Sequence, residues 1–475
     1  MNPKSLISAA AFVLLIAISI FSGPGCANII PPQGGPRDSL PPILIKATPL
    51  DSTRGFKEKR FVLTFNEFVD IQNARENLLI SPLPVNTPEP YVRLNQITVR
   101  LKDSLEANTT YTINFGNAIK DYNEGNVLKN FTYTFTTGNY FDSLELKGSV
   151  ILAETGKIDT TLIVMLHTNP NDSAVMKYRP RYVAKLDNKG NFHFKNLPPK
   201  TFYLYALKDE SGLLRYSKDE DLFAFADKPI VLSGNRDSIV LYAYATAKPV
   251  AATPTTTDGG GRRTGPGGIA IERRLRPQST VVNGQHDLLT PLQLSFSLPL
   301  RKFDSSKIRL YTDSTFIPDT SAKFAQDSTG KKLLLTNIWK PATQYHIIID
   351  KDFAEDTTGQ KLLKTDTLSF ISKKTGDYGG LKLRFRNLDI SKNPVLLFVS
   401  AGQIIKSVPM TSPEFSQTLF IPGEYELRFL YDENKNGIWD PGQFFGKRKQ
   451  PELVKPVERK IIIKLNWVNE FEIAL

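Results

Sequence analysis

The chain is expected to be an all-β protein of four tandem β-sandwich modules, duplicated as A-B-linker-A′-B′. Three observations predict this. Short segments alternate apolar and polar residues with a period of two, no long window carries a helical apolar stripe, and two sets of residues recur at constant offsets. Phe61, Leu63 and Phe65 share one face, with Val62 and Thr64 on the other. Tyr111, Ile113 and Phe115 alternate with Thr112 and Asn114, and Phe131, Tyr133 and Phe135 alternate with Thr132 and Thr134. β-Branched and aromatic residues in that rhythm fit half-buried strands. Thr109, Tyr111, Gly125 and Leu128 recur in order as Thr343, Tyr345, Gly359 and Leu362. Phe296 is the counterpart of Phe65 on an earlier strand. Pro199, Phe202, Leu204 and Asp209 recur as Pro422, Tyr425, Leu427 and Asp432. A length of 475 residues accommodates three domains, or four small ones. A hydrophobic content of 40% excludes global disorder.

The elements follow in chain order. Lys4 precedes an apolar run at 6–21, which ends in Ser22, Gly23, Pro24 and Gly25 before Cys26. The run is short for a membrane span and has the layout of a secretory signal peptide over 1–25, the alternative being an N-terminal transmembrane anchor. Cys26 is the one cysteine, so no intramolecular disulfide is available. Its placement resembles a bacterial lipobox, departing from the common pattern at Gly23 and Pro24. The resemblance implies that Cys26 is lipidated and becomes the mature N-terminus. Several acyl chains would then give lasting attachment, at roughly 0.8 kcal/mol per buried CH2. Ala27 after the cysteine implies, by the same resemblance, the outer membrane rather than retention at the inner one. The proline- and glycine-rich stretch 26–42 reads as an extended tether. Followed by an alternating β domain, it resembles Bacteroidota outer-membrane lipoproteins that begin with an SbsA-type bacterial Ig-like domain.

Module A spans 43–138 and module A′ 276–374. Module A resembles the SbsA-type Ig-like domain, with Pro41-Pro42 before its first strand and Thr110-Tyr111 near its penultimate one. Module B spans 142–246 and module B′ 378–475. The stretch 190–209, GNFHFKNLPPKTFYLYALKD, resembles the transthyretin-like or carboxypeptidase-regulatory-like β-sandwich, where a Gly-x-Phe strand, an Asn-Leu-Pro turn and a Tyr-x-Leu strand recur. Residues 395–399 read as a buried strand. Residues 247–275 are rich in Pro, Thr, Gly and Ala and read as a flexible linker. Its Arg262-Arg263, with Arg273, Arg274 and Arg276 at the exit, is either a basic patch for anionic lipid, lipopolysaccharide or protein, or a solvated linker.

Little chemistry is signalled. His167, His193, His286 and His346 form no close-spaced ligand pair, and neither a GxSxG elbow nor a Walker-type loop is present. The chain is therefore expected not to be an enzyme. The sharpest local pattern is DENKNGIWD at 432–440. Asp432, Asn434 and Asn436 take positions 1, 3 and 5 of an EF-hand-like loop, Gly437 position 6 and Asp440 position 9. Gln443 stands at position 12, where a bidentate Glu belongs. The loop is thus either a weak calcium site or a polar turn whose side chains bond their own backbone. Module B has only DESG at Asp209. Asp precedes Ser or Thr at thirteen positions, among them Asp159, Asp304, Asp319 and Asp356. These triplets resemble the O-glycosylation motif of Bacteroidota, and equally suit ordinary turns.

The function expected from these readings is a structural or protein-interaction scaffold in the cell envelope. It would be held at the outer membrane through lipid and dock an envelope protein partner. The other reading is a glycan- or surface-polymer-binding module. The export signal and the lack of a recognisable nucleic-acid module disfavour nucleic acid, despite a formal charge of +12.

Overall fold

The computed structural model describes residues 11–14, 16, 37–246, 274–313 and 315–475. The lipidation candidate Cys26 and most of the linker lie outside the described residues. The protein is all-β, and the helices between its strands, such as Ala74–Asn77 and Ala174–Lys177, are single turns. Among the described residues no helix is long and apolar enough to cross a membrane. The chain divides into two compact units, Met1–Phe141 and Asp142–Leu475.

The first unit is a sandwich. One sheet runs Leu44–Thr48, Arg60–Phe65, Gln96–Arg100, Tyr91–Arg93, and the other Leu79–Ser81, Thr110–Asn114, Thr132–Thr136. Phe61 pairs with Val99 and Leu63 with Ile97, so the predicted inward face meets a second apolar strand. Phe61, Leu63, Phe65, Ile113, Phe115, Tyr133 and Phe135 are fully buried. Phe61 stacks on Tyr133 at 4.0 Å and Phe56 on Phe135 at 3.9 Å, closing the two layers over one aromatic core.

In the second unit the sheets repeat. Module A′ places Leu292–Ser295, Lys332–Thr336 and Lys323–Gln326 in the order that module A gives Arg60–Phe65, Gln96–Arg100 and Tyr91–Arg93. In module B, Leu144–Leu152 lies antiparallel to Asn191–Leu197 and parallel to Arg236–Ala243. In module B′, Gly379–Arg386 lies antiparallel to Glu414–Phe420 and parallel to Val468–Ala474. The facing sheets also correspond: Tyr182–Lys185, Ile163–His167, Thr201–Leu207, Phe223–Phe225 in B, and Gln403–Pro409, Pro394–Ser400, Gly423–Tyr431, Leu453–Pro456 in B′.

The recurring residues keep their contacts. The Tyr111 hydroxyl accepts the Glu106 N–H at 2.9 Å, and the Tyr345 hydroxyl accepts the Lys340 N–H at 2.9 Å. The Thr109 hydroxyl donates to the Ala107 carbonyl and the Thr343 hydroxyl to the Pro341 carbonyl, each at 3.0 Å. Gly125 and Gly359 take φ of 78° and 82°, a region in which a Cβ is strained. The repeat in the sequence is therefore a repeat of topology and of turn chemistry. Val395 to Val399 are buried on both faces: Leu396 and Phe398 point into the B′ core, while Val395, Leu397 and Val399 join Leu430 and Val454 on the outside of the sheet.

Candidate functional site

The segment 432–452 follows the long strand Gly423–Tyr431 and precedes Leu453–Pro456, two strands that pair directly. Everything between them must be held by its own chemistry. Asp432, 2% exposed, does this at the base: Oδ1 accepts the Lys435 N–H at 2.7 Å and Oδ2 the Gly437 N–H at 2.7 Å. Gly437 turns the chain at φ 78°. Asn434 Oδ1 accepts the Asn436 N–H at 2.9 Å, and Asn436 Oδ1 the Ile438 N–H at 2.8 Å. With their oxygens so engaged, both amides direct nitrogen at Asp440 Oδ2, Asn436 Nδ2 at 3.0 Å and Asn434 Nδ2 also in hydrogen-bond contact.

The four predicted residues do come together, joined by one that sequence spacing missed. Glu452, 2% exposed, accepts the Glu433 N–H on Oε1 at 2.8 Å and the Asp440 N–H on Oε2 at 3.0 Å. It bridges both ends of the loop. Gln443, at the twelfth position, instead pairs its backbone with Lys449 at 2.8 Å. Burial, with the charges of Asp432 and Asp440, pushes the Glu452 carboxyl above its usual range. Among the described residues no three His, Cys, Asp or Glu side chains are placed as a metal-holding group. Nothing in the sequence spacing marked Glu452, an acidic residue that the structure places directly before the strand Leu453–Pro456.

This loop carries the surface that grips module B. Phe444, 4% exposed, lies among Tyr205, Phe223 and Phe225 of module B at ring distances of 5.6, 5.3 and 4.9 Å. Phe445 packs on Tyr216 at 5.7 Å. Around this apolar centre, the Arg448 guanidinium makes a two-pronged ion pair with Asp172, its Nε at 3.1 and 3.2 Å from the carboxylate oxygens. Gln450 Nε2 donates to the Phe225 carbonyl at 3.0 Å and to Asp227 at 2.6 Å, and the Val454 N–H donates to the Ala153 carbonyl at 2.9 Å. Two glycines allow the approach. A Cβ on Gly156 would stand 2.2 Å from Pro456 Cδ, and one on Gly442 would stand 2.6 Å from Tyr244 Cζ. The asymmetry between DENKNGIWD and DESG thus has a structural outcome: the B′ loop carries Phe444, Phe445 and Arg448 onto module B.

The histidines serve separate local roles. His193 Nε2 lies 3.0 Å from Glu145, His286 Nε2 lies 3.1 Å from the Thr290 carbonyl, and His346 Nδ1 lies 2.8 Å from Ser369 Oγ. His167, 3% exposed, packs edge-on against Tyr205 at 5.7 Å, and burial holds its pKa down at about 4. Several Asp-Ser/Thr steps are turns: the carboxylates of Asp159, Asp304, Asp319 and Asp356 accept the N–H two residues onward at 2.8 to 3.0 Å.

With the geometry in place, comparison with known proteins adds the following. No curated protein sequence matches the chain. Among solved structures, the Bacillus anthracis TIE protein is similar at 11% identity and a TM-score of 0.17, covering 94% of this chain and 76% of that one. The major pilin subunit BcpA of Bacillus cereus is similar at 9% identity and a TM-score of 0.15, covering 71% and 99%. A putative carbohydrate binding protein from Bacteroides uniformis is similar at 10% identity and a TM-score of 0.15, covering 49% and 99%. At such scores none of them fixes function or module arrangement. Residues 38–137 match the bacterial Ig-like domain family, the region whose alternating Phe and Tyr strands build the first unit.

Proposed function

We propose that the protein is a non-catalytic, lipid-anchored scaffold of the cell envelope, tethered to the outer membrane through Cys26 and docking an envelope protein partner. The observation that carries this reading is the clasp: the 432–452 loop binds module B to module B′ as one body, as suits a load-bearing or partner-presenting element. The apolar run before Cys26 and the tether after it support the anchor. The edge strand Gln403–Pro409, with Ile404 and Ile405 about half exposed, offers a partner strand a place to add.

Crosslinking of the tagged protein in intact cells, followed by mass spectrometry, tests the partner. A reproducible outer-membrane protein crosslinked to one module is the expected result, and no partner above background refutes the scaffold reading. Cys26→Ala tests the anchor: release from the membrane fraction or stalled processing is expected. Unchanged attachment with normal processing refutes lipidation.

A further inference from the structure

Module B′ carries a second feature that the clasp does not use. The outer face of its three-stranded sheet has an open trough of about 320 Å3, bordered by Trp467, Val468, Gly380, Lys382, Ser416 and Thr418. That volume lies at the small end of ligand sites, about 300–1,000 Å3. Trp467 is 68% exposed, whereas Trp339 is buried at 6%. An indole left in water forgoes most of its burial energy, and its cation–π contact with Lys464, Nζ 5.9 Å from the ring centroid, recovers little of it.

The turn that bears it is nevertheless fixed. The Gly380 N–H donates to the Trp467 carbonyl at 2.8 Å, and the Asn466 N–H to the Tyr378 carbonyl at 2.7 Å. Asn469 Nδ2 donates to the carbonyls of Gly380, Lys464 and Trp467, each at 3.1 Å. An exposed aromatic on a pinned backbone is a pre-organised contact surface.

The floor and walls indicate what it meets. Gly380 interrupts the row of outward side chains on Gly379–Arg386 and leaves the floor bare, as strands do where another molecule approaches closely. Its φ is not positive, and a Cβ there would sit 3.5 Å from Val468 and 3.6 Å from the Thr418 carbonyl. The glycine is therefore not demanded by the backbone. The walls carry hydroxyls from Ser416 and Thr418, and Lys382 is neutralised by Glu470 at 2.8 Å. A flat apolar ring beside hydroxyl groups, with the Lys382 charge compensated and the Lys464 ammonium 5.9 Å over the ring centroid, matches a molecule that has one C–H face and a rim of hydroxyls.

We propose that this trough binds a neutral carbohydrate, one pyranose ring lying on Trp467 with its hydroxyls toward Ser416 and Thr418. The site goes beyond the scaffold reading and does not depend on lipid anchorage.

The test is isothermal titration of the purified full chain with cello-, manno-, malto- and laminarihexaose, with tryptophan fluorescence followed in parallel. At least one hexaose is expected to bind with Kd about 1 mM or tighter and to perturb the emission. Trp467→Ala and Gly380→Val, which removes the platform or fills the floor, should each weaken binding about tenfold or more with an unchanged melting temperature. No binding by any hexaose overturns the proposal, as does binding that both variants retain. Adsorption to phosphatidylethanolamine–phosphatidylglycerol vesicles that Trp467→Ala abolishes, without hexaose binding, would overturn it in favour of a membrane contact.

Discussion

Phe444→Ala is the most direct probe of the clasp. Phe444 is 4% exposed and has three aromatic rings of module B within 5.6 Å of its centroid. Truncating a buried Phe costs about 3–5 kcal/mol, and each aromatic pair contributes roughly 0.5–1.5 kcal/mol of the interaction. The loss falls on the junction, because module B has its own core of Leu146, Val164, Phe192 and Leu204, and module B′ another of Leu381, Leu396, Phe398 and Leu427. A loss of about 4 kcal/mol is nearly a thousandfold in the docking equilibrium. The assay is urea unfolding of the full chain, followed by tryptophan emission and far-ultraviolet circular dichroism, with small-angle scattering at low denaturant. The variant should show an added early transition in emission, since Trp439 packs at this junction, and a larger radius of gyration with unchanged strand content. A variant that unfolds with the wild-type midpoint, or loses strand content in step with emission, would refute the idea that Phe444 holds two separately folded modules together.

Further outcomes follow from the same structure. Gly442→Ala should open the clasp without touching either core, because its Cβ would meet Tyr244 at 2.6 Å, and proteolysis between the modules should rise. Asp432→Ala leaves the Lys435 and Gly437 N–H donors without their acceptor and should lower stability by about 1–3 kcal/mol, read by calorimetry. Because the amide oxygens of Asn434 and Asn436 are already bonded to the backbone, melting should be the same in calcium and in chelator; a calcium-dependent rise would make the loop a cation site. His167 is held at about 4, below the 6.5 of an unfolded histidine, so between those values the unfolded state binds more protons. Stability is therefore lost as pH falls from about 6.5 to about 4, by roughly 3 kcal/mol, and His167→Leu should remove that part of the acid dependence. Equal acid sensitivity in both proteins would remove His167 from the account.

Much of the fold was legible because strands announce themselves by alternation. Phe61, Leu63 and Phe65 needed only their period of two to be placed inside. The duplication was visible through residues with backbone or turn roles, such as Tyr111 and Tyr345, whose hydroxyls make the same bond in both copies. Long-range partnerships were not legible. Glu452 lies outside any loop spacing, and chain geometry alone brings it to Asp432 and Asp440. The clasp was equally hidden, since Asp172 and Arg448 are far apart in sequence and no spacing ties one to the other. Alternation reports which face of a strand is apolar, and it is silent on whether a second apolar face is covered by a neighbouring module. Trp467, exposed beside a glycine, looked like any other aromatic in a strand-rich sequence.

The clasp also sets an order of events during synthesis. Module B can complete its own sandwich once residue 243 has emerged, yet Tyr205, Phe223 and Phe225 then wait for Phe444. All of module A′ and most of B′ must be made first. Throughout that interval a patch of aromatic surface faces solvent on an otherwise finished module, where a second nascent chain can meet it. A later part of the chain is thus also what shields an earlier part, and conditions that slow its arrival lengthen the period in which aggregation competes with folding.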